Sequence, residues 1–471
     1  GKTVRTSSQN NGSECEVCSS VNHKMYKALD DRDEALIEEA SQVWEENKDE
    51  LPHPQAPIYD YQKTNRLVIH NYNEWHQLFN DRQLLSLGLI LSKIKEEEDQ
   101  DLRESLVAAF LSTLTHQNML NTYYVPYAQS AGAFGRHDYH PKVTTCEGIP
   151  FGAEKGRGTF RQAMDTVIKG KDYLHDPYDR VVNENGSKKK HPGDGYDGDE
   201  VESFQELEDG EGNLMLDVAD STDLDFLPDN SVDHVVTDPP YADAVQYSEL
   251  ADFFYVWLRE ALQEDYPDIL SAAETPKGEE LVENNSRGKS QESFYDGLEQ
   301  VFSESKRVLK EDGLLCFTFH HSRKNKWSDL LGSVKGAGFQ LEAAYPVKSE
   351  ATGSGNLVFH SNPNSAAYDV ILVCRPVEDD EIVESSGEIS WEVFQERTIE
   401  RVQEHGLELN LDGAGGHSPS SKDFKMILWG DCIVSYAESE ETVVDEEGEP
   451  LELEDALGRL GELEDIQDIE V

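Results

Sequence analysis

The β-branched run Val232-Asp233-His234-Val235-Val236-Thr237 stops abruptly at Asp238-Pro239-Pro240-Tyr241, and an aromatic-rich segment follows over 247–258. No other stretch constrains the fold as much. Valine and threonine suit a pleated strand, and two successive prolines end it. Neither proline has a backbone N–H, so the turn is stiff and its carbonyls stay free to accept hydrogen bonds. An acid, two prolines and an aromatic ring are thereby delivered to the carboxyl end of a strand, a placement that serves chemistry more than packing.

The surrounding pattern extends this into a domain. Strands are predicted at 214–218, 232–237, 314–319, 339–345 and 368–374, and helices near 247–262, 292–309 and 327–335. Asp312-Gly313 reads as a turn into the third strand, and Gly336-Ala337-Gly338 closes the last of these helices. Strands alternating with helices predict an α/β fold with a doubly wound, mostly parallel sheet, closed by an antiparallel edge hairpin. That region runs over 151–376. It starts at a glycine-rich loop, Gly152 to Gly158, that leads into a helix at 159–169 and can cradle a phosphate. It also holds a polar, flexible surface insertion at about 172–212. Ahead of it lie an N-terminal segment, 1–57, with a charged helix near 32–50, and a helical region, 58–150, with helices at 74–95 and 102–120. Behind it come a helical segment, 377–436, and an acidic tail, 437–471, read as solvated with one helical stretch. The chain begins at Gly1 without an initiator methionine, which suggests a fragment or a processed product.

Charge is the second strong signal. The chain has 95 acidic and 41 basic residues, a net charge of −54, spread along its length beside well-patterned apolar segments. A single acidic tail does not account for that. A surface acidic throughout fits a salt-rich cytoplasm, where the Debye length falls to ~3 Å and self-repulsion is screened. In ordinary salt the same charge argues against DNA binding; in molar salt that objection weakens, and local basic patches can dock phosphates. The candidates are Lys155, Arg157, Arg161, Lys169 and Lys171, and the run Lys188-Lys189-Lys190-His191. Of the six cysteines, Cys316 and Cys374 sit in apolar strand patterns and read as reduced core residues, while Cys146 and Cys432 are isolated. No apolar run reaches membrane-spanning length and no signal peptide is evident, so a cytoplasmic protein without a membrane partner is expected.

Several further segments accompany the tetrapeptide: the 247–258 helix, Glu274-Thr275-Pro276-Lys277, Glu280-Leu281-Val282, Arg307-Val308-Leu309, Phe319-His320-His321 with Trp327, Ala337-Gly338-Phe339 and Pro346-Val347. Together they resemble the adenine-specific DNA methylases that contain a zinc-ribbon, a group also described as a domain of unknown function. The resemblance covers about residues 77–376. It implies the fold of S-adenosylmethionine-dependent methyltransferases and site-specific N6-adenine methylation of DNA, in a setting such as restriction–modification or phage defence. The target base would be flipped out of the duplex. Asp238, Pro239, Pro240 and Tyr241 match the family's catalytic motif position by position. An amino nitrogen conjugated to a ring is a poor nucleophile. The Asp238 carboxylate and the Pro239 carbonyl would hold it and engage its protons while Tyr241 stacks on the ring.

The resemblance places Asp220, with Ser221, at the cofactor's adenine; a plain turn aspartate is the alternative. By spacing, Cys15 and Cys18 form half of a zinc-ribbon ligand set. No second pair accompanies them, His23 is a candidate third ligand, and a cysteine knuckle without metal is the alternative. His320 and His321 end a strand near the expected site, where they contact substrate or simply pack. The chain departs from the family at the Phe-x-Gly-x-Gly loop that holds the methionine end of S-adenosylmethionine. Gly413-Ala414-Gly415-Gly416 is the one cluster of similar density, but Ser418-Pro419-Ser420-Ser421 follows it where a helix should start. The expectation is therefore an incomplete enzyme, whose glycine loop comes from an N-terminal part or a separate subunit. The rivals are a cytosine-N4 or RNA guanine-N2 methyltransferase, and a non-catalytic DNA-binding subunit of a modification or defence complex.

Overall fold

The computed structural model describes residues 2–5, 24–124, 129–134, 137–143, 145–152, 157–182, 188–193, 198–242, 245–348, 368–377, 387–409, 421–439 and 441–462. Cys15, Cys18, His23, Lys155 and the glycines at 413–416 lie outside them. The chain forms two compact units, residues 1–196 with 247–278, and residues 197–246 with 279–471.

The first unit is built on helices α1 (Asp31–Asn47), α2 (Asp81–Lys95), α3 (Gln100–Leu114), α4 (Phe160–His175) and α5 (Tyr247–Leu262). Local capping sets their ends. Asn80 and Gln83 form a capping box that starts α2 afresh after the short 3-10 turn Trp75–Leu78, so the helix expected over 74–95 is two pieces. α3 ends at Leu114 because the Asn118 side chain takes over, donating to the Leu114 carbonyl at 2.8 Å and accepting from the Leu120 N–H at 2.9 Å. The core of this unit centres on α5. Phe253 stacks on Phe79 with centroids 5.7 Å apart, and Trp257 meets Phe110 edge-on at 5.4 Å. The Glu274–Lys277 stretch is stapled to the same helix. Lys277 Nζ lies 2.8 Å from Asp252 Oδ2, and the Thr275 N–H donates to Asp252 Oδ1 at 2.9 Å. Within the expected insertion, Tyr178–Val182 and Lys188–Pro192 pair as an antiparallel hairpin.

The second unit holds the main sheet: β1 (Val232–Thr237), β2 (Leu309–Phe319), β3 (Phe339–Lys348) and β4 (Tyr368–Pro376), in the order β3-β4-β2-β1. β1 and β2 are parallel, while β2/β4 and β3/β4 are antiparallel. The edge hairpin is as expected, but the described sheet is mixed, with one parallel pair and two antiparallel ones. Asp312-Gly313 does not precede β2; it lies inside it, where the register with β1 shifts between Leu309 and Leu314. The strand expected over 214–218 shrinks to Leu214–Met215, which pairs only with Glu200–Val201. Leu216 and Val218 are 67% and 98% exposed, so none of the described residues packs them into the sheet.

Strand parity sorts the two faces. Leu315, Phe317 and Phe319 of β2 and Val370, Leu372 and Cys374 of β4 are buried together. That face carries α6 (Gln291–Val308), through Phe302 on Phe317 at 5.0 Å, and α7 (Lys324–Gly336), through Trp327 on Phe319 at 4.9 Å. It continues to α8 (Trp391–Leu409) and α9 (Ser421–Glu438). Gly430 lets α9 approach closely: a Cβ there would meet Val370 Cγ1 at 3.1 Å and Ala344 Cβ at 3.3 Å. On the opposite face Cys316 and Thr318 are half-buried, and Val236 of β1 is 80% exposed. A doubly wound sheet would cover both faces; the described residues cover one well.

The acidic tail is corrected as well. β5 (Gly387–Ser390) pairs in parallel with β6 (Glu441–Val444), and α10 (Leu453–Gly461) buries Leu453, Ala456, Leu457 and Leu460 in the main core. Cys374 and Cys432 are buried and Cys146 and Cys316 half-buried, all four free, with burial pushing each thiol up. Among the described residues no helix is long and apolar enough to cross a membrane.

Candidate active site

Thr237 on β1 pairs with Phe317 on β2, so Asp238, one step further, comes beside Thr318. The Tyr241 hydroxyl donates to Asp238 Oδ1 at 2.7 Å and lies 2.9 Å from Thr318 Oγ1. The Thr318 hydroxyl donates to the same Asp238 oxygen. Two hydroxyls thus converge on Oδ1, while among the described residues Oδ2 has no hydrogen-bond partner and Asp238 is exposed. Burial holds the Tyr241 phenol well above its ordinary range, and the Asp238 carboxylate pushes it the same way, so it stays a protonated donor. Its ring meets Phe319 edge-on, with centroids 5.7 Å apart. Pro239 is buried.

The segments on either side are tied down. Ala242, 1% exposed, has φ +49, a left-handed conformation costing ~1–2 kcal/mol for a residue with a Cβ. Its carbonyl accepts from the Glu283 N–H at 3.1 Å. The buried Gln246 amide donates to the Glu283 carbonyl at 3.2 Å and accepts from Asn284 Nδ2 at 2.7 Å and Arg287 Nη2 at 3.1 Å. Upstream, Arg307 donates to the Leu224 carbonyl at 2.9 Å and the Leu227 carbonyl at 3.0 Å, and pairs with Glu304 and Asp229. The entry to β1 and the exit from the tetrapeptide are each fixed by a buried or charged side chain, so Asp238 sits on a rigid element.

The two histidines separate. His320 Nδ1 lies 2.8 Å from Asp369 Oδ1 and 3.1 Å from the Tyr368 carbonyl, at the same end of the sheet. His321 is 7% exposed; it accepts from the Arg323 N–H at 3.1 Å, and its carbonyl accepts from Trp327 Nε1 at 2.8 Å, a packing role. Asp220 and Ser221 are exposed. Asp220 Oδ1 accepts from the Thr222 N–H at 2.9 Å and hydroxyl at 2.7 Å, and these bonds hold its carboxyl below the usual range. That is the geometry of a turn aspartate. In the first unit, Gly152 and Gly158 take left-handed φ of +90 and +67, and Thr159 caps α4. Arg157, Arg161, Lys169, Lys171 and Lys188 to Lys190 are exposed cations. Among the described residues no group of three or more His, Cys, Asp or Glu is placed to hold a metal.

Thr318, Gln246 and Arg287 were not singled out from the sequence. For Thr318 the sequence offers only a polar residue near the end of an apolar strand; that it stands in step with Asp238 needs the register of β1 with β2.

An exposed acceptor at the end of a parallel strand pair, held by two hydroxyls and next to a proline, suits a transferase that handles an amino group. Residues 232–443, a little under half of the chain, match the family model described as DNA methylase, covering N6 and N4 enzymes. A Thermus thermophilus protein provisionally described as a DNA modification methylase is similar at 15% identity over 48% of this chain and 85% of its own. Its TM-score is 0.20, a likeness too slight to define a fold. No curated protein matches the chain significantly.

Methyltransferases of this family draw the methyl group from S-adenosylmethionine. Among the described residues, Asp220 engages Thr222 through one carboxylate oxygen, and no glycine-rich loop follows a strand of the main sheet.

Proposed function

We propose that the protein is a DNA methyltransferase that modifies the exocyclic N6 of adenine in a base flipped out of the duplex. The observation that carries this is the Asp238 carboxylate, with one oxygen held by two hydroxyls and the other open to an incoming donor. The amino nitrogen of a purine shares its lone pair with the ring. Accepting its two protons at Asp238 Oδ2 and the Pro239 carbonyl localises that pair and aims it. The family match to both N6 and N4 enzymes makes cytosine N4 the second reading, since it presents the same amino group.

Two finer points belong to this reading. The acidic surface, 95 acidic residues against 41 basic, favours a cytoplasm of molar salt, where contact with DNA phosphates is not opposed at long range. The methionine end of the cofactor is held by residues outside 1–471, on the same polypeptide or a second one. Supporting this, β1 has one neighbour, β2, and lies at the edge of the described sheet, and an edge strand is a template for further pairing.

Isothermal titration in molar KCl tests this. Residues 1–471 alone are expected to bind S-adenosylmethionine weakly or not at all and to leave DNA unmethylated; adding the upstream region should restore both. Micromolar binding by the isolated chain would show that the cofactor seat is complete within it. Full binding without methylation, once the upstream region is present, would favour a non-catalytic DNA-binding subunit.

A further inference from the structure

We infer that Thr318 is a positioning residue that locks Asp238 and Tyr241 into one unit; its role in turnover rests on the methyltransferase reading above. The Thr318 hydroxyl donates to Asp238 Oδ1, and Tyr241 Oη lies within hydrogen-bond distance of both. Three contacts share two protons. Asp238 is the only one of the three that cannot donate when ionised, so both hydroxyl protons are drawn toward it. Charge-assisted bonds of this kind are the stronger class and fix geometry as well as adding energy.

The lock has a functional consequence. A carboxylate on an exposed turn rotates about its terminal bond, and its two oxygens exchange places. Pinning Oδ1 between two hydroxyls stops that rotation and leaves Oδ2 as the outward acceptor. The same bonds hold the Tyr241 ring by its far end, edge-on to Phe319. Acceptor and stacking surface are therefore set together, by a side chain that itself needs no contact with the base. Thr318 can do this because it lies on the half-open face of β2, beside Cys316, where β1 delivers Asp238. A valine there would keep the β-branched shape and strand preference while removing the hydroxyl.

The test has two arms, both in molar KCl. In chain 1–471, Thr318→Val, Tyr241→Phe and the double variant form a thermal unfolding cycle. Each single change is expected to lower Tm by roughly 2–4 °C, with the double variant falling short of the sum. Strictly additive shifts would overturn the lock. In the methylating form of the enzyme, Thr318→Val should lower kcat ~10–100-fold with KM for DNA unchanged, and Thr318→Ser should keep most of the wild-type rate. An unchanged kcat in Thr318→Val, or a loss in Thr318→Ser as large as in Thr318→Val, would overturn the positioning role. If the wild type itself does not methylate, the methyltransferase reading fails and with it the role in turnover, while the unfolding cycle still decides whether the lock exists.

Discussion

Asp238→Ala is expected to lower methyl transfer by at least ~10²–10³-fold in the methylating form of the enzyme, with cofactor binding close to wild type. The size of the effect follows from geometry. Among the described residues Asp238 is the charged acceptor at the end of β1, and its open oxygen is where an amino proton would be taken up. Alanine removes the acceptor and also leaves the Thr318 and Tyr241 hydroxyls without their shared partner. Because Asp238 is exposed, water can satisfy those hydroxyls, so the fold should tolerate the change far better than the chemistry does. Asp238→Asn keeps a carbonyl acceptor but loses the charge, and an intermediate rate is expected. Tritium transfer to DNA under single-turnover conditions reads both. Retention of more than a few per cent of the wild-type rate by the alanine variant would remove Asp238 from the chemistry.

Salt should have the other large effect. With 95 acidic and 41 basic residues, even complete one-to-one pairing leaves 54 carboxylates unmatched. Two effects oppose each other as salt falls. Ion pairs such as Lys324 with Glu454 and Arg401 with Glu438 gain a little, since exposed pairs are worth ~0–1 kcal/mol each. Repulsion among the unmatched charges grows as the Debye length rises from ~3 Å in molar salt to ~10 Å at 0.1 M. The imbalance makes repulsion win, so stability should fall with dilution. Circular dichroism from molar to about 0.1 M KCl is expected to show cooperative loss of helix signal. An unchanged, cooperatively melting fold at low salt would rule out dependence on a salt-rich cytoplasm.

The features legible in the sequence are those that local chemistry decides. Short apolar runs bounded by turn residues, β-branched in β1 and β4, located β1, β3, β4 and the later part of β2, and the tetrapeptide lies at the strand end where the prolines put it. Features that depend on pairing were not legible. The sequence marks α5 as an aromatic-rich helix but not which core it joins, and Phe253 and Trp257 pack with Phe79 and Phe110 in the first unit. Leu214 to Val218 has strand composition, yet a strand needs a neighbour, and none of the described residues buries Leu216 and Val218. In the tail, net charge obscured a readable signal: Leu453, Ala456, Leu457 and Leu460 recur at helical spacing, and all four are buried. Thr318 emerged only once the β1–β2 register was known, because one residue of slip would turn it to the opposite face.

The central claim, that an Asp238-centred site methylates an amino group of DNA, is tested most directly by mass spectrometry of nucleosides. DNA treated with the methylating form of the enzyme and S-adenosylmethionine in molar KCl would be digested and analysed beside DNA treated with Asp238→Ala. N6-methyladenine in the wild-type digest and none in the variant is the predicted result. N4-methylcytosine in its place would keep the site and change the base. No methylated nucleoside in DNA, despite demonstrated cofactor binding, would contradict the account.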